Sequence, residues 1–181
     1  MGCRFESRYI ETREGELMTA SKTPIPKGYH TITPALTVRN AEAAIDFYKK
    51  ALGAEEVMRM KGPDGKISHA ELTIGDSKIF LTDESPAMGN KSPETLGGTA
   101  GYIYLYVEDV DKVFPQAIKA GGKEKMPVTD MFWGDRYGQF VDPYGHLWGV
   151  STHKEDLNPQ EMEERAKAFY AQMEQMNRKS A

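Results

Sequence analysis

One offset recurs along this chain. The stretch Ser68-His-Ala-Glu-Leu-Thr-Ile-Gly-Asp-Ser-Lys-Ile-Phe-Leu-Thr82 reads as strand, Gly75-Asp76 turn, strand. Residues 133–151 repeat that pattern, with Tyr144-Gly145 lying 69 residues after Gly75-Asp76. The segments ahead of the two hairpins keep the same offset: Val38-Arg-Asn40 matches Val107-Glu-Asp109, and Leu52-Gly53 matches Gly121-Gly122. A constant long period is the mark of an internal duplication. It restricts the chain to folds made of two copies of one strand-and-helix unit.

The first unit reads in order as follows. Residues 30–38 alternate as a strand, with Ile32, Leu36 and Val38 on one face and Thr33, Ala35 and Thr37 on the other. Asn40 is placed to cap a helix over 41–52, whose Ala41, Ala44, Ile45, Tyr48 and Leu52 form an apolar stripe ended by Gly53. Strands follow at 54–60, 66–74 and 78–82, the first two joined by a turn at Gly62-Pro-Asp-Gly65. In 66–74, Ala70, Leu72 and Ile74 face one way and His69, Glu71 and Thr73 the other. In 78–82, Ile79 and Leu81 oppose Lys78, Phe80 and Thr82.

The second unit opens with a strand at 102–107, where Tyr102, Tyr104 and Tyr106 oppose Ile103, Leu105 and Val107. Asp109 caps a helix to about residue 120. Pro115 lies within it, so the sequence places the regular helix start nearer Phe114. A short strand at 123–128 precedes a hairpin of strands 136–141 and 146–151 around Asp142-Pro-Tyr-Gly145. Each unit is therefore βαβββ, and the fold class is α+β: two such modules, 29–83 and 101–153, forming a curved mixed sheet with helices on its outer face.

The remaining segments are connectors and ends. Residues 84–100 are rich in Ser, Pro, Gly and Asn and link the modules; a linker this long is either mobile or borders the site. Residues 1–28 read as a flexible leader, within which Met18 is an alternative start of translation. Asn158-Pro159 begins a last helix over the segment 154–181, with Met162, Ala166, Phe169, Tyr170, Met173 and Met176 along one face. That face marks a packing helix, or alternatively a lid over the site.

Composition narrows the function. The 181 residues suffice for one sizeable domain or two small modules. Net charge is −4 with no basic, aromatic-interleaved patch, which argues against nucleic acid. No apolar run is long enough for a bilayer, and the charged first residues lack a signal-peptide core. The single cysteine, Cys3, fits a reducing cytoplasm.

The helices must cover the apolar strand faces. The opposite faces, pooled, form a concave surface carrying Thr33, Thr37, His69, Glu71, Thr73, Lys78, Phe80, Thr82, Tyr102, Tyr104, Tyr106, Arg136 and Phe140. A mixed aromatic and polar hollow suits a small-molecule ligand.

Two further pieces carry a family resemblance. One is Leu36-Thr-Val-Arg-Asn40 followed by Ala43-Ala-Ile-Asp-Phe-Tyr-Lys-Lys-Ala-Leu-Gly53; the other is Phe140-Val-Asp-Pro-Tyr-Gly-His146. With them, residues 29–153 resemble the glyoxalase/bleomycin-resistance/extradiol-dioxygenase superfamily, also called vicinal oxygen chelate. His69-Ala-Glu-Leu72 and Trp133-Gly-Asp-Arg-Tyr-Gly138 resemble its PhnB-like branch. The resemblance implies four metal ligands, His, Gln or Glu, on the first and last strands of each module, and clefts built within a chain or across a homodimer. Carried onto this chain, the ligand positions fall at Thr33, Phe80, Tyr102 and Gly149, and none of these is a ligand for Zn, Ni, Fe or Mn. The expectation is therefore no metal and no other cofactor.

Several residues admit two readings. His69 and Glu71 are a base with its orienting carboxylate, a partial metal site, or a polar wall. Arg136 clamps an anion, or bridges to Asp135 or Glu71. Trp133 and Tyr137 stack on a ligand, or pack in a core or dimer contact. The tyrosine row is the leading ligand contact, because three amphipathic rings need a half-wet surface. Trp148 packs beneath a helix, and His30 and His153 are solvated at element ends. The resulting function is metal-independent small-molecule binding by a homodimer. The alternatives are a lyase, isomerase or transferase using His69 and Glu71, and a structural or regulatory module.

Overall fold

The structure, a computed structural model, describes residues 23–180. Most of the expected leader, with Cys3 and the alternative start at Met18, lies outside the described residues. In chain order the elements are β1 (Ala35–Val38), α1 (Ala41–Leu52), β2 (Glu55–Lys61), β3 (Ile67–Ile74), β4 (Ser77–Asp83), α2 (Pro93–Leu96), β5 (Tyr102–Tyr106), α3 (Val110–Ala120), β6 (Lys123–Asp130), β7 (Asp135–Val141), β8 (Leu147–His153) and α4 (Pro159–Ser180). The two modules have the same topology. Their strand orders are β1-β4-β3-β2 and β5-β8-β7-β6, with the first and last strand of each module parallel.

Local chemistry sets the boundaries. Asn40 and Asp109 occupy equivalent N-caps, their side chains accepting from the backbone N–H of Ala43 and Lys112. Gly53 ends α1 in the left-handed region, at φ 66°. α3 starts at Val110 and runs through Pro115, so the expected later start is corrected. One missing backbone hydrogen bond is offset there by the Asp109 cap and by the burial of Val110, Phe114 and Ala117. β1 is shorter than expected: the chain is irregular until Ala35, and Ile32 is 82% exposed rather than part of the core face. The linker holds a 3-10 turn at Pro86–Met88 and the short α2.

The core lies between the sheets and the helices, and α1 packs against α3 across the module boundary. Asp142 locks that boundary. It is buried, and its carboxylate accepts from the Tyr48 hydroxyl of α1 at 2.7 Å and from the Trp148 indole of β8 at 3.0 Å. It also accepts from the backbone N–H of Tyr144 and His146, closing the turn in which Gly145 takes φ 87°. Trp148 is fully buried beneath the helices, with Phe140 stacked parallel to it at 6.4 Å. His146 reaches the other module at the Thr37 carbonyl, 3.1 Å away.

Among the described residues, the backbone of α4 comes close to no other helix or strand. Asn158 caps it, accepting from the N–H groups of Gln160 and Glu161. Phe169 and Tyr170 touch Phe132 in the loop before β7, while Tyr170 and Met173 stay exposed. Among the described residues no helix is long and apolar enough to cross a membrane.

Candidate functional site

The register of β7 with β8 decides which side chains reach the open face of the second sheet. Phe140 pairs with Trp148 and Gln139 with Gly149. Side chains alternate, so Asp135, Tyr137 and Gln139 point to the open face while Arg136, Gly138 and Phe140 point to the helices. β5 adds Tyr102, Tyr104 and Tyr106 to the open face, Tyr104 lying opposite Gly149. The ring of Tyr137 stacks on Tyr104, with centroids 5.2 Å apart and planes 10° apart. It fills the space above Gly149, where a β-carbon would fall 2.7 Å from it. The Gln139 amide donates to the Tyr137 hydroxyl at 2.6 Å.

Asp135 organises the row. It is 3% exposed, and one oxygen accepts from Tyr104 at 3.0 Å, Tyr106 at 3.1 Å and the Trp133 indole at 3.2 Å. Its other oxygen accepts from His153 Nδ1 at 2.8 Å, and His153 Nε2 reaches Asp156 at 3.0 Å. Burial pushes the Asp135 carboxyl up, but the donors from His153, Tyr104, Tyr106 and Ser151 prevail and hold it below its ordinary value. The hydrogen bonds to Asp135 and Asp156 hold the His153 imidazole above its ordinary value. Burial, then Asp135, raises Tyr104 and Tyr106, so both stay neutral phenols.

The open face of the first sheet carries a separate group. His69 Nε2 lies 3.2 Å from Glu71 Oε1, and the Tyr29 hydroxyl donates to Glu71 Oε2. Phe80 stands edge-on to His69 at 4.9 Å and near Tyr29 at 6.0 Å. The Tyr29 hydrogen bond, above all, lowers the Glu71 carboxyl. Thr33, Glu71 and Phe80 line a cavity of about 520 Å³ with Tyr29. His69 and Phe80 also border a second cavity of about 490 Å³, walled by linker residues Ser85, Pro86 and Met88. Between the modules runs a groove of about 1050 Å³, with Ile32 and Lys78 on one side and Tyr104 and Tyr106 on the other.

The expected site residues thus fall into two groups and two strays. Thr33, His69, Glu71 and Phe80 meet on the first module; Tyr102, Tyr104, Tyr106 and Trp133 meet on the second. Arg136 and Phe140 are corrected to the helix side. Phe140 is fully buried against Trp148 and Phe114. Arg136 pairs with Asp111 of α3 at 2.7 Å and with Asp130 at 3.1 Å, not with Asp135 or Glu71. His153 is likewise a partner of two carboxylates rather than a free surface group. Sequence reasoning missed Asp135, Gln139, His153 and Tyr29 as members of the two groups. The hairpin register was the available signal: with Trp148 under a helix, its pair Phe140 has to lie there too, which turns Asp135 outward.

The four positions that hold a metal in the resembling enzymes do not fit one here. Thr33 precedes β1, Phe80 is a hydrocarbon wall, and the Tyr102 phenol is 52% exposed. Gly149 has no side chain and lies under Tyr137. A divalent transition metal needs imidazole, carboxylate or thiolate donors, and this set supplies none.

Comparison with known proteins agrees with the topology. The sequence profile of the Glyoxalase/Bleomycin resistance protein/Dioxygenase superfamily matches residues 29–150. An uncharacterised protein of Mycobacterium tuberculosis is 40% identical over 154 residues, covering 83% of this chain and 87% of the relative. Among solved structures, TioX from Micromonospora sp. ML1 is 25% identical with a TM-score of 0.56, covering 67% of this chain and 97% of that one. A PhnB protein from Bacillus cereus is 22% identical with a TM-score of 0.53, covering 68% and 99%. That last likeness shows the fold.

Proposed function

This chain belongs to the Glyoxalase/Bleomycin resistance protein/Dioxygenase superfamily, and from that premise we propose that it binds a small organic molecule against the tyrosine face of its second sheet, without a metal. The single observation that carries the reading is Tyr137 lying over Gly149. A ring occupies the corner where a ligating side chain would stand, and it is stacked into a row of tyrosines. Exposed Tyr102 and Tyr106, at 52% and 61%, leave large ring surfaces for a ligand. Membership of the PhnB-like branch is part of the proposal, supported by the two short motifs and the Bacillus cereus likeness. So is a homodimer, since an open sheet face buries a ligand fully only when a second wall covers it.

The Tyr29–Glu71–His69 arrangement favours a second reading. A carboxylate that orients an imidazole and accepts from a phenol is suited to moving a proton, so the first module is the place for any lyase or isomerase step. A thermal-shift screen of small organic molecules against the intact protein, Tyr104→Ala and His69→Ala separates the two. Binding at the tyrosine face predicts hits lost in Tyr104→Ala and kept in His69→Ala; the reverse pattern moves the site to the first module. Elemental analysis of purified protein tests the metal-free reading, and a stoichiometric transition metal overturns it.

A further inference from the structure

The tyrosine cluster has a particular imbalance of hydrogen-bond donors and charge. The phenol donors of Tyr104 and Tyr106 and the indole donor of Trp133 are all spent on Asp135. Both His153 nitrogens are spent on carboxylates. What Tyr104 and Tyr106 still offer outward is ring faces and hydroxyl lone pairs, which attract donors and cations; the exposed Tyr102 adds a ring face and a hydroxyl that can donate or accept. Among the described residues, no lysine or arginine donates to the cluster or stacks on it. The one arginine of β7, Arg136, is turned to the other face and bound to Asp111 and Asp130.

The adjoining groove leans the same way. Of its lysines, Lys112 pairs with Asp109 at 2.8 Å, and Lys78 donates to the Thr73 hydroxyl at 2.9 Å. Asp76 and Glu108 also line it. With Asp76, Glu108 and Asp109 against Lys78 and Lys112, the groove lining carries more carboxylates than ammonium groups. A cationic ligand would meet ring quadrupoles and, on the alkaline side where His153 is neutral, the charge of the buried Asp135 carboxylate.

We infer that the tyrosine face takes a planar aromatic cation, a flat unsaturated ring system bearing a positively charged nitrogen with N–H donors. This deepens the binding reading above and rests on it. The rings select flatness by stacking; the spent donors and Asp135 select positive charge. Cation–π attraction and hydrogen bonds to the hydroxyl oxygens give about a tenfold preference over a neutral ring of the same shape.

Three dyes of similar size test this on the intact protein: proflavine, cationic at neutral pH; acridine, neutral at slightly alkaline pH; and anilinonaphthalene sulfonate, an anion. Dissociation constants come from dye fluorescence at one pH and low salt, for the wild type, Tyr102→Ala and Asp135→Asn. Proflavine is expected to bind about tenfold more tightly than acridine, with the sulfonate weakest. Tyr102→Ala, which removes an exposed ring, weakens proflavine and acridine alike. Asp135→Asn, checked for folding by thermal melt, brings proflavine toward acridine. The wild-type ranking stands as a test even if that variant does not fold. Equal affinities, or a preference for the sulfonate, with Tyr102 dependence retained, overturn the charge assignment and leave the aromatic site standing. Binding that no Tyr102→Ala change affects, in folded protein, overturns both.

Discussion

The ring of Tyr137 lies across the α-carbon of Gly149, so close that a β-carbon there would fall 2.7 Å from the ring. Tyr137 is itself held by stacking on Tyr104 and by the Gln139 amide. It cannot move away without breaking both contacts. Gly149→Ala is therefore expected to cost about 1–3 kcal/mol through overpacking, read by urea denaturation. Gly149→Glu, which restores a carboxylate at a family ligand position, is expected to lose stability and still take up no metal, because Thr33, Phe80 and Tyr102 supply no partners. Uptake of zinc, nickel or manganese by that variant would contradict the account of the corner.

Asp142 gives a second prediction. Its carboxylate satisfies two side-chain and two backbone donors in the buried boundary between the modules. Asp142→Ala strands all four, and unsatisfied buried donors cost roughly 1–3 kcal/mol each before relaxation. A loss of about 3 kcal/mol or more is expected in chemical denaturation. Tyr48→Phe removes one donor and leaves the carboxylate with three, so its loss should be nearer 1 kcal/mol. Equal effects of the two substitutions would show that Asp142 does not join the modules as described.

The Asp135–His153 pair sets a pH dependence. The His153 value is raised above 6.5 by Asp135 and Asp156. A raised imidazole stabilises the fold fully below the unfolded value, and the contribution is lost as pH rises through the folded value. Asp135 is lowered, so its contribution is lost in the opposite direction, as pH falls through its folded value. The melting-temperature gap between wild type and His153→Gln should be widest in mildly acidic buffer, between the carboxylate range and 6.5. It should close progressively on the alkaline side. A gap that widens with pH would mean the imidazole is held neutral.

Tyr29 anchors the segment ahead of β1 through its hydrogen bond to Glu71, and Lys78 lies 5.7 Å over its ring. Tyr29→Phe removes the bond and keeps the ring. Trypsin should then cut after exposed Lys27 several times faster, while the fold past Ala35 persists, as seen by mass spectrometry of the products. An unchanged rate would place the anchoring in the apolar contacts alone.

The sequence made much of this architecture legible, and the reasons are local. Asn40 and Asp109 announce two helix starts at one offset, Gly53 marks a helix end, and the alternation in Ile67–Ile74 fixes which side chains face the core. The second module's site was less legible. The stretch Asp135–Val141 alternates acidic, basic, aromatic and glycine residues, so hydropathy alone does not decide its parity. Only the pairing of Phe140 with Trp148 does, and that rests on turn geometry. The inverted parity put Arg136 in the hollow and hid Asp135. His153 was illegible for another reason: its partner Asp156 lies beyond the strand, and its partner Asp135 lies across the sheet. Tyr29 was missed because an irregular segment carries no period to read.

Gly134 is the joint between the candidate site and α4. Its carbonyl accepts from the backbone N–H of Lys154 and Glu155, tying the loop before β7 to the chain leaving β8. Within that loop Trp133 turns to Asp135 and Phe132 turns to Phe169 and Tyr170 of α4. Gly134 has φ 93°, and a β-carbon there would fall 2.5 Å from the Glu155 carbonyl oxygen. Gly134→Ala therefore meets both backbone strain and a backbone clash that no side-chain rotation relieves. It should part the two segments, speed hydrogen exchange at the Lys154 and Glu155 amides, and shift Trp133 fluorescence as the indole leaves Asp135. The core amides of Ile67–Ile74, in the other module, should keep their protection, which separates local parting from global unfolding. If exchange at Lys154 and Glu155 stays slow while Trp133 emission moves, the loop reports on the site without being joined to α4 through this glycine.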